Sequence, residues 1–191
     1  MHPMLENLHQ RYRKSLAGKD RDFCQLRPAQ SPRGNSDPKS KHEPQSQSWT
    51  TQEVIEHLVL TYRNTGALFD RYLARNSPSS QPITAKHRIL QYLVIRCGGF
   101  PRGVSAPEHV RPGKSGMPPM NGDELCACLR SELEKLDAKI DECSKAFAKA
   151  SFAPHFIFGP LTAEQWRRFH FVHGRHHLKQ LARIRRQTGS G

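Results

Sequence analysis

The stretch NGDELCACLRSELEKLDAKIDECSKAF, residues 121–147, decides the fold. Leu125, Leu129, Leu133, Leu136, Ile140, Cys143 and Phe147 recur at three- and four-residue intervals, the spacing that puts apolar side chains on one face of an α-helix. The start is equally well marked. Asn121 caps the first turn, Glu124 three residues on reaches back to the cap, and Met120 and Leu125 stand where a hydrophobic staple closes. The same device recurs twice. Thr50 and Glu53, with Trp49 and Val54 as staple, open an amphipathic helix that runs to about residue 74, where Asn76-Ser77-Pro78 ends it. Thr162 and Gln165, with Leu161 and Trp166, open another after the Gly159-Pro160 break, and it runs to about residue 186. A fourth stripe, Leu5, Leu8, Tyr12 and Leu16, predicts a helix over residues 3–17 that Gly18 stops.

Each stripe needs an apolar partner, and no run shows the sustained alternation of a strand. The expectation is an all-α protein, a four-helix bundle with long connecting loops, forming one domain over residues 1–191. Residues 27–48, rich in Pro, Ser, Gln and Lys, read as a flexible loop. A second loop is expected over about residues 98–120, since the stretch 78–121 holds seven of the fourteen prolines. Within that stretch Ile89, Leu90, Leu93 and Val94 predict one short helix from about Thr84 to Arg96, ended by Gly98-Gly99.

A chain of 191 residues suits one domain of ordinary size and excludes a large multidomain enzyme. The net charge of +13 and a mean hydropathy of −0.73 describe a soluble, basic protein. No run approaches the ~18 to 20 apolar residues of a membrane span. Met1 to Gly18 carries charge throughout, so it reads as folded protein and not as a secretory signal, and a cytoplasmic location follows. The five cysteines lack C-x-x-C spacing and read as free thiols, which argues against a disulfide framework or a zinc ribbon.

Of the eleven histidines, His2, His9, His42, His87, His109 and His155 fall in polar or loop contexts and read as incidental. The last helix is different. At about 100° per residue, Trp166, His173, Gln180 and Ile184 fall within roughly 40° of one another, with Phe169 and His177 about 40° to either side of His173. Two imidazoles at i and i+4 on a buried face can reach one cation, the geometric reason that metalloproteases carry H-x-x-x-H on a helix. Gly174 follows the first histidine where such a protease needs its general-base Glu, which excludes that chemistry. His57, the only histidine on the Thr50 helix, sits at the edge of its apolar stripe, roughly 110° from the centre.

Trp49-Thr50-x-x-Glu53-Val54-x-Glu56-His57-Leu58, together with Gly159-Pro160-Leu161-Thr162-x-x-x-Trp166 and Phe169-x-x-x-His173-x-x-x-His177-Leu178-x-Gln180, resembles the DinB-like superfamily of four-helix-bundle metalloenzymes, in a branch of uncharacterised function. The resemblance covers about residues 3–186, with a looser match in the long loops. It implies a divalent metal, often nickel or zinc, held by His57, His173 and His177, with His170 and His176 as spare candidates. It also implies a metal-dependent enzyme, a thiol S-transferase or a hydrolase, acting on a small molecule such as a low-molecular-weight thiol. A homodimer is the candidate assembly.

The basic end of the last helix, Arg175, Lys179, Arg183, Arg185 and Arg186, supports an alternative class. There the chain is a nucleic-acid-binding or interaction module whose metal site is structural or vestigial. No helix-turn-helix, zinc-finger or RNA-binding signature accompanies these charges, so the expectation is a solvated face with weak, salt-sensitive nucleic-acid association.

Overall fold

The structure, a computed structural model, describes residues 1–28, 49–100, 106–113 and 115–188. It is mostly helical. Four long helices, α1 (Pro3–Leu16), α3 (Thr51–Arg75), α5 (Gly122–Phe147) and α6 (Ala163–Thr188), carry the apolar stripes. Two short ones, α2 (Arg21–Gln25) and α4 (Ala85–Leu90), and a two-stranded hairpin of β1 (Ala153–His155) and β2 (Gly159–Leu161) fill the connections. None of the described helices is long and apolar enough to cross a membrane.

The three predicted helix starts form as their sequences dictate. Thr50 Oγ1 accepts the Glu53 N–H at 3.1 Å while the Glu53 carboxylate accepts the Thr50 N–H at 2.8 Å. Asn121 and Glu124 make the same reciprocal pair at the head of α5, and Thr162 and Gln165 at the head of α6. Each cap is worth ~1 kcal/mol. Asn76, in the left-handed region at φ 46° and ψ 37°, ends α3. Helix α5 packs against α1, α3 and α6, and α6 packs in turn on α1 and α3. Leu8, Ile55, Leu58, Leu129, Leu133 and Ile140 are fully buried in the shared core. Gly122 permits the closest approach. A Cβ there would lie 1.9 Å from the Leu16 carbonyl oxygen, in the joint where the Gly122 N–H donates to Lys19 O at 2.8 Å.

Several expectations need correction. The chain is not free of strands, since Ala153 pairs with Leu161, Pro154 with Pro160 and His155 with Gly159. Three-residue strands with a proline in each are too short to show alternation; their pairing is held from outside, where the Trp166 indole N–H donates to Ala153 O at 3.2 Å. The helix expected over 84–96 is an α-helix only to Leu90 and continues as a π-turn over Gln91–Arg96, with the Cys97 N–H bonded to Tyr92 O. The wider turn rotates the inward face, so Val94 and Ile95 are buried, whereas Ile89 and Leu93 are 60% and 50% exposed. Arg168 on α6 clamps this segment by donating from Nε to Ile95 O at 2.9 Å.

The loop expected over 27–48 lies outside the described residues except for Arg27 and Pro28. Of the loop expected over 98–120, residues 101–105 and 114 lie outside them, and the rest contains a short 3-10 turn over Glu108–Val110. Within that second stretch, the described residues 106–120 dock on the first turns of α3. Gln52 Nε2 donates to Pro118 O at 3.0 Å, the Met120 N–H donates to Gln52 Oε1 at 2.9 Å, and the Glu56 carboxylate accepts both the N–H and the hydroxyl of Ser115.

Candidate metal centre

That docked segment explains why His57 is buried although it stands at the edge of its helical stripe. Periodicity counts only the helix's own faces, and a loop laid along α3 adds a wall that it does not register. The imidazole is 4% exposed, and its Nδ1 lies 2.8 Å from the Val110 carbonyl oxygen. A carbonyl only accepts, so Nδ1 carries the proton and Nε2 is left with its lone pair.

On α6, His177 is arranged in the same way. Its Nδ1 donates to Gln180 Oε1 at 2.8 Å, three residues along the helix, which again leaves Nε2 as the free lone pair. His173 lies between the other two. Its Nε2 is 3.3 Å from His57 Nε2 and 3.0 Å from His177 Nε2. The sequence separates His57 and His173 by 116 positions, yet their ring centroids are 5.3 Å apart.

The three residues thus form one buried cluster whose ligand atoms lie within 4.8 Å of one another and which can hold a metal ion. Nitrogens sharing a tetrahedral ion at ~2.0 to 2.1 Å stand about 3.3 Å from each other, close to the two separations that His173 makes with His57 and His177. The donor set has the same requirement. His57 and His177 present lone pairs, and His173 Nε2 can contribute one N–H at most, so three converging nitrogens share at most one proton.

Burial keeps all three neutral. It is the leading cause that holds His57 below its ordinary range, that depresses His173 well below it with His177 and His57 adding repulsion, and that pushes His177 down to about 3. Neutral imidazole is the form that ligates a metal. Among the described residues, the charged neighbours that shift these three rings are other histidines.

Aromatic rings wall the cluster. Trp49 packs on His57 at 5.0 Å and lies nearly parallel to His177 at 6.2 Å, while Phe169 stacks on His173 at 5.5 Å. Phe100 tilts over both His173 and His176, at 5.4 and 4.8 Å. Trp49 is visible in the sequence as a staple residue, and Gln180 stands in the motif around His177. Val110 acts through its backbone oxygen, which no side-chain pattern announces, and Phe100 lies in a stretch without periodicity.

The spare candidates fall elsewhere. His176 is half-buried against Phe100 and His177, and His170 is wholly buried beside Tyr62 and Trp166; neither belongs to the converging set. Two histidines read as incidental are in fact buried. His9 faces Cys126, with Nε2 3.2 Å from Sγ, and His155 sits among Phe158, Trp166 and Phe169. His42 lies outside the described residues. The five cysteines are free, and Arg175, Lys179, Arg183, Arg185 and Arg186 are exposed along α6.

The molecule is therefore a mostly helical protein with a buried three-histidine cluster fit to hold a metal ion. By sequence it belongs to the DUF1569 family, described as a protein of unknown function, which it matches over residues 38–184, a span that takes in all three histidines. No curated protein and no solved structure matches the chain.

Proposed function

We propose that this chain is a metal-dependent enzyme of the DinB-like kind. In this reading α1, α3, α5 and α6 form its four-helix bundle, and His57, His173 and His177 hold one divalent cation, zinc or nickel. The observation that carries the reading is the convergence of three Nε2 atoms, two of them with Nδ1 already committed to an acceptor on the far side of the ring. Outer acceptors of this kind fix ring orientation and raise ligand basicity. Imidazole suits both metals.

With three neutral ligands a bound divalent cation keeps its full double charge and supplies Lewis acidity together with coordination positions left open for a reactant. The protein's own part is to hold protons away from Nε2 of His57 and His177 and to fix the plane of the His173 ring against Phe169. Trp49 and Phe100 shape the apolar sides against which a small molecule lies. The reaction we infer is transfer to or from a low-molecular-weight thiol, or hydrolysis, in the cytoplasm.

Elemental analysis of the purified protein tests the first step. We expect one divalent cation per chain and none in the triple variant His57→Ala, His173→Ala, His177→Ala; full occupancy in that variant, still folded, would falsify the ligand assignment. Helicity should survive chelation, because the core packs without the cation, and its loss would point to a structural metal. A screen of thiols with electrophiles, and of hydrolysable esters, against the metal-loaded protein tests the second step, with His173→Ala as the inactive control.

A further inference from the structure

Among the described residues, four buried side-chain nitrogen or oxygen atoms have no hydrogen-bond partner: Tyr62 Oη, both ring nitrogens of His170, and His173 Nδ1. They belong to neighbours. The Tyr62 ring meets His170 edge-on at 5.4 Å, and His170 precedes His173 by three residues on α6, which puts both on one side of the helix. Tyr62 is 1% exposed, His170 0% and His173 6%. Tyr12, wholly buried on α1, closes the group by donating its hydroxyl to Gly174 O at 2.7 Å.

Buried polar groups without partners are rare, and four on three adjacent residues demand a common explanation. Polar interiors of this kind hold ordered water, which typically makes about three hydrogen bonds to groups that would otherwise be unsatisfied. The inventory suits water. A neutral His170 offers one N–H and one lone pair, and Tyr62 a donor that also accepts. His173 Nδ1 bears the N–H when its Nε2 faces a cation. A hydroxyl and two imidazoles can therefore surround a molecule that both accepts and donates.

We propose that Tyr62 and His170 hold a buried water between α1, α3 and α6 that accepts the Nδ1–H of His173, making His170 and Tyr62 positioning residues for the third ligand of the metal centre. The proposal rests on the metal reading above. It completes the pattern set by the other two ligands: His57 is oriented by a loop carbonyl, His177 by a side-chain amide on its own helix, and His173 by solvent trapped in the core.

Three measurements on the full chain test it. A high-resolution crystal structure should show a water within hydrogen-bond distance of His173 Nδ1 and of His170 or Tyr62. A direct protein partner on His173 Nδ1, or no density there, overturns the proposal. In zinc titrations, Tyr62→Phe, which removes only the hydroxyl, should weaken affinity about 10-fold, and His170→Phe by roughly 10- to 100-fold, the range seen when outer partners of ligands are lost. His170→Asn should restore most of the loss by supplying polar atoms again. Both Tyr62→Phe and His170→Phe should also shift the visible absorption of the cobalt-loaded protein. Phe69→Leu, an equally buried change on α3, should shift neither affinity nor spectrum. Wild-type affinity and spectrum in both polar-to-apolar variants would overturn the positioning role. Failure of the wild type to bind zinc or cobalt at all would instead refute the metal reading, and the positioning role with it, while the crystallographic water still decides whether these buried atoms are hydrated.

Discussion

Phe169 stands between the buried three-histidine cluster and a single buried imidazole outside it, His155. One face of its ring stacks on His173, at 5.5 Å and 8°, and His155 packs against it at 4.6 Å and 60°. Burial depresses the charged form on both sides of this wall, pushing His155 down to about 3 just as it does His177. The two sides differ in where their nitrogens point. His155 Nδ1 accepts the Ile157 N–H at 3.1 Å, a local bond that closes the hairpin turn, and its ring is enclosed by Phe158, Trp166 and Phe169. His57, His173 and His177 direct nitrogen at nitrogen. A buried histidine is thus no guide to a ligand; convergence of lone pairs is.

The hardest test of that contrast is to remove one imidazole from each side. His173→Ala should reduce bound metal to background in elemental analysis, whereas His155→Phe should leave one cation per chain. Loss of metal in the His155 variant would erase the distinction between the two sides.

Acid comes next in size. The folded-state pKa of His155 lies near 3, below its ordinary 6.5, so its contribution to stability is present above pH 6.5 and is lost as the pH falls from 6.5 toward 3, while the unfolded chain takes up the proton. The loss amounts to about 1.4 kcal/mol per pH unit for each such histidine. Denaturant melts of metal-free protein between pH 7 and 4 should therefore be less steep in pH for His155→Phe than for the wild type. An equal slope would show that this ring is not held neutral in the fold.

The starts of α3, α5 and α6 can be read residue by residue because capping lies within four positions, and the α6 pair is read just as directly from its i and i+4 spacing. His155 and His9 defeat the same method. Each is buried by elements distant in the chain, and local polarity says nothing of what will cover it. The π-turn at Gln91–Arg96 escapes for a related reason. Its residues fit an α-helical stripe, and it is the clamp from Arg168, 73 residues away, that accompanies the wider turn. His57 falls between these cases: its motif is visible, but its burial depends on Val110 and Ser115.

Glu56→Ala should have a smaller effect. It releases Ser115 from α3 and so loosens the segment that carries Val110, with an expected loss of about 10-fold in zinc affinity by isothermal titration. Unchanged affinity would mean that the His57 ring keeps its orientation without the loop. Least of all should come from Lys179→Glu, Arg183→Glu and Arg186→Glu together. Exposed substitutions of this kind shift stability by only ~0.5 kcal/mol. Metal content should not change, while any duplex binding in a gel-shift assay should weaken and lose its steep salt dependence. Tight duplex binding that ignores chelators would favour the interaction module.

The hydrogen bond from His57 to the Val110 carbonyl ties the histidine's readiness to the position of a loop 53 residues further along the chain. Thermodynamic linkage runs in both directions. If docking of Val110 and Ser115 on α3 strengthens cation binding by some factor, the cation must strengthen that docking by the same factor. Protease resistance across Glu108–Val110 would then serve as a gauge of metal occupancy that needs no knowledge of the substrate.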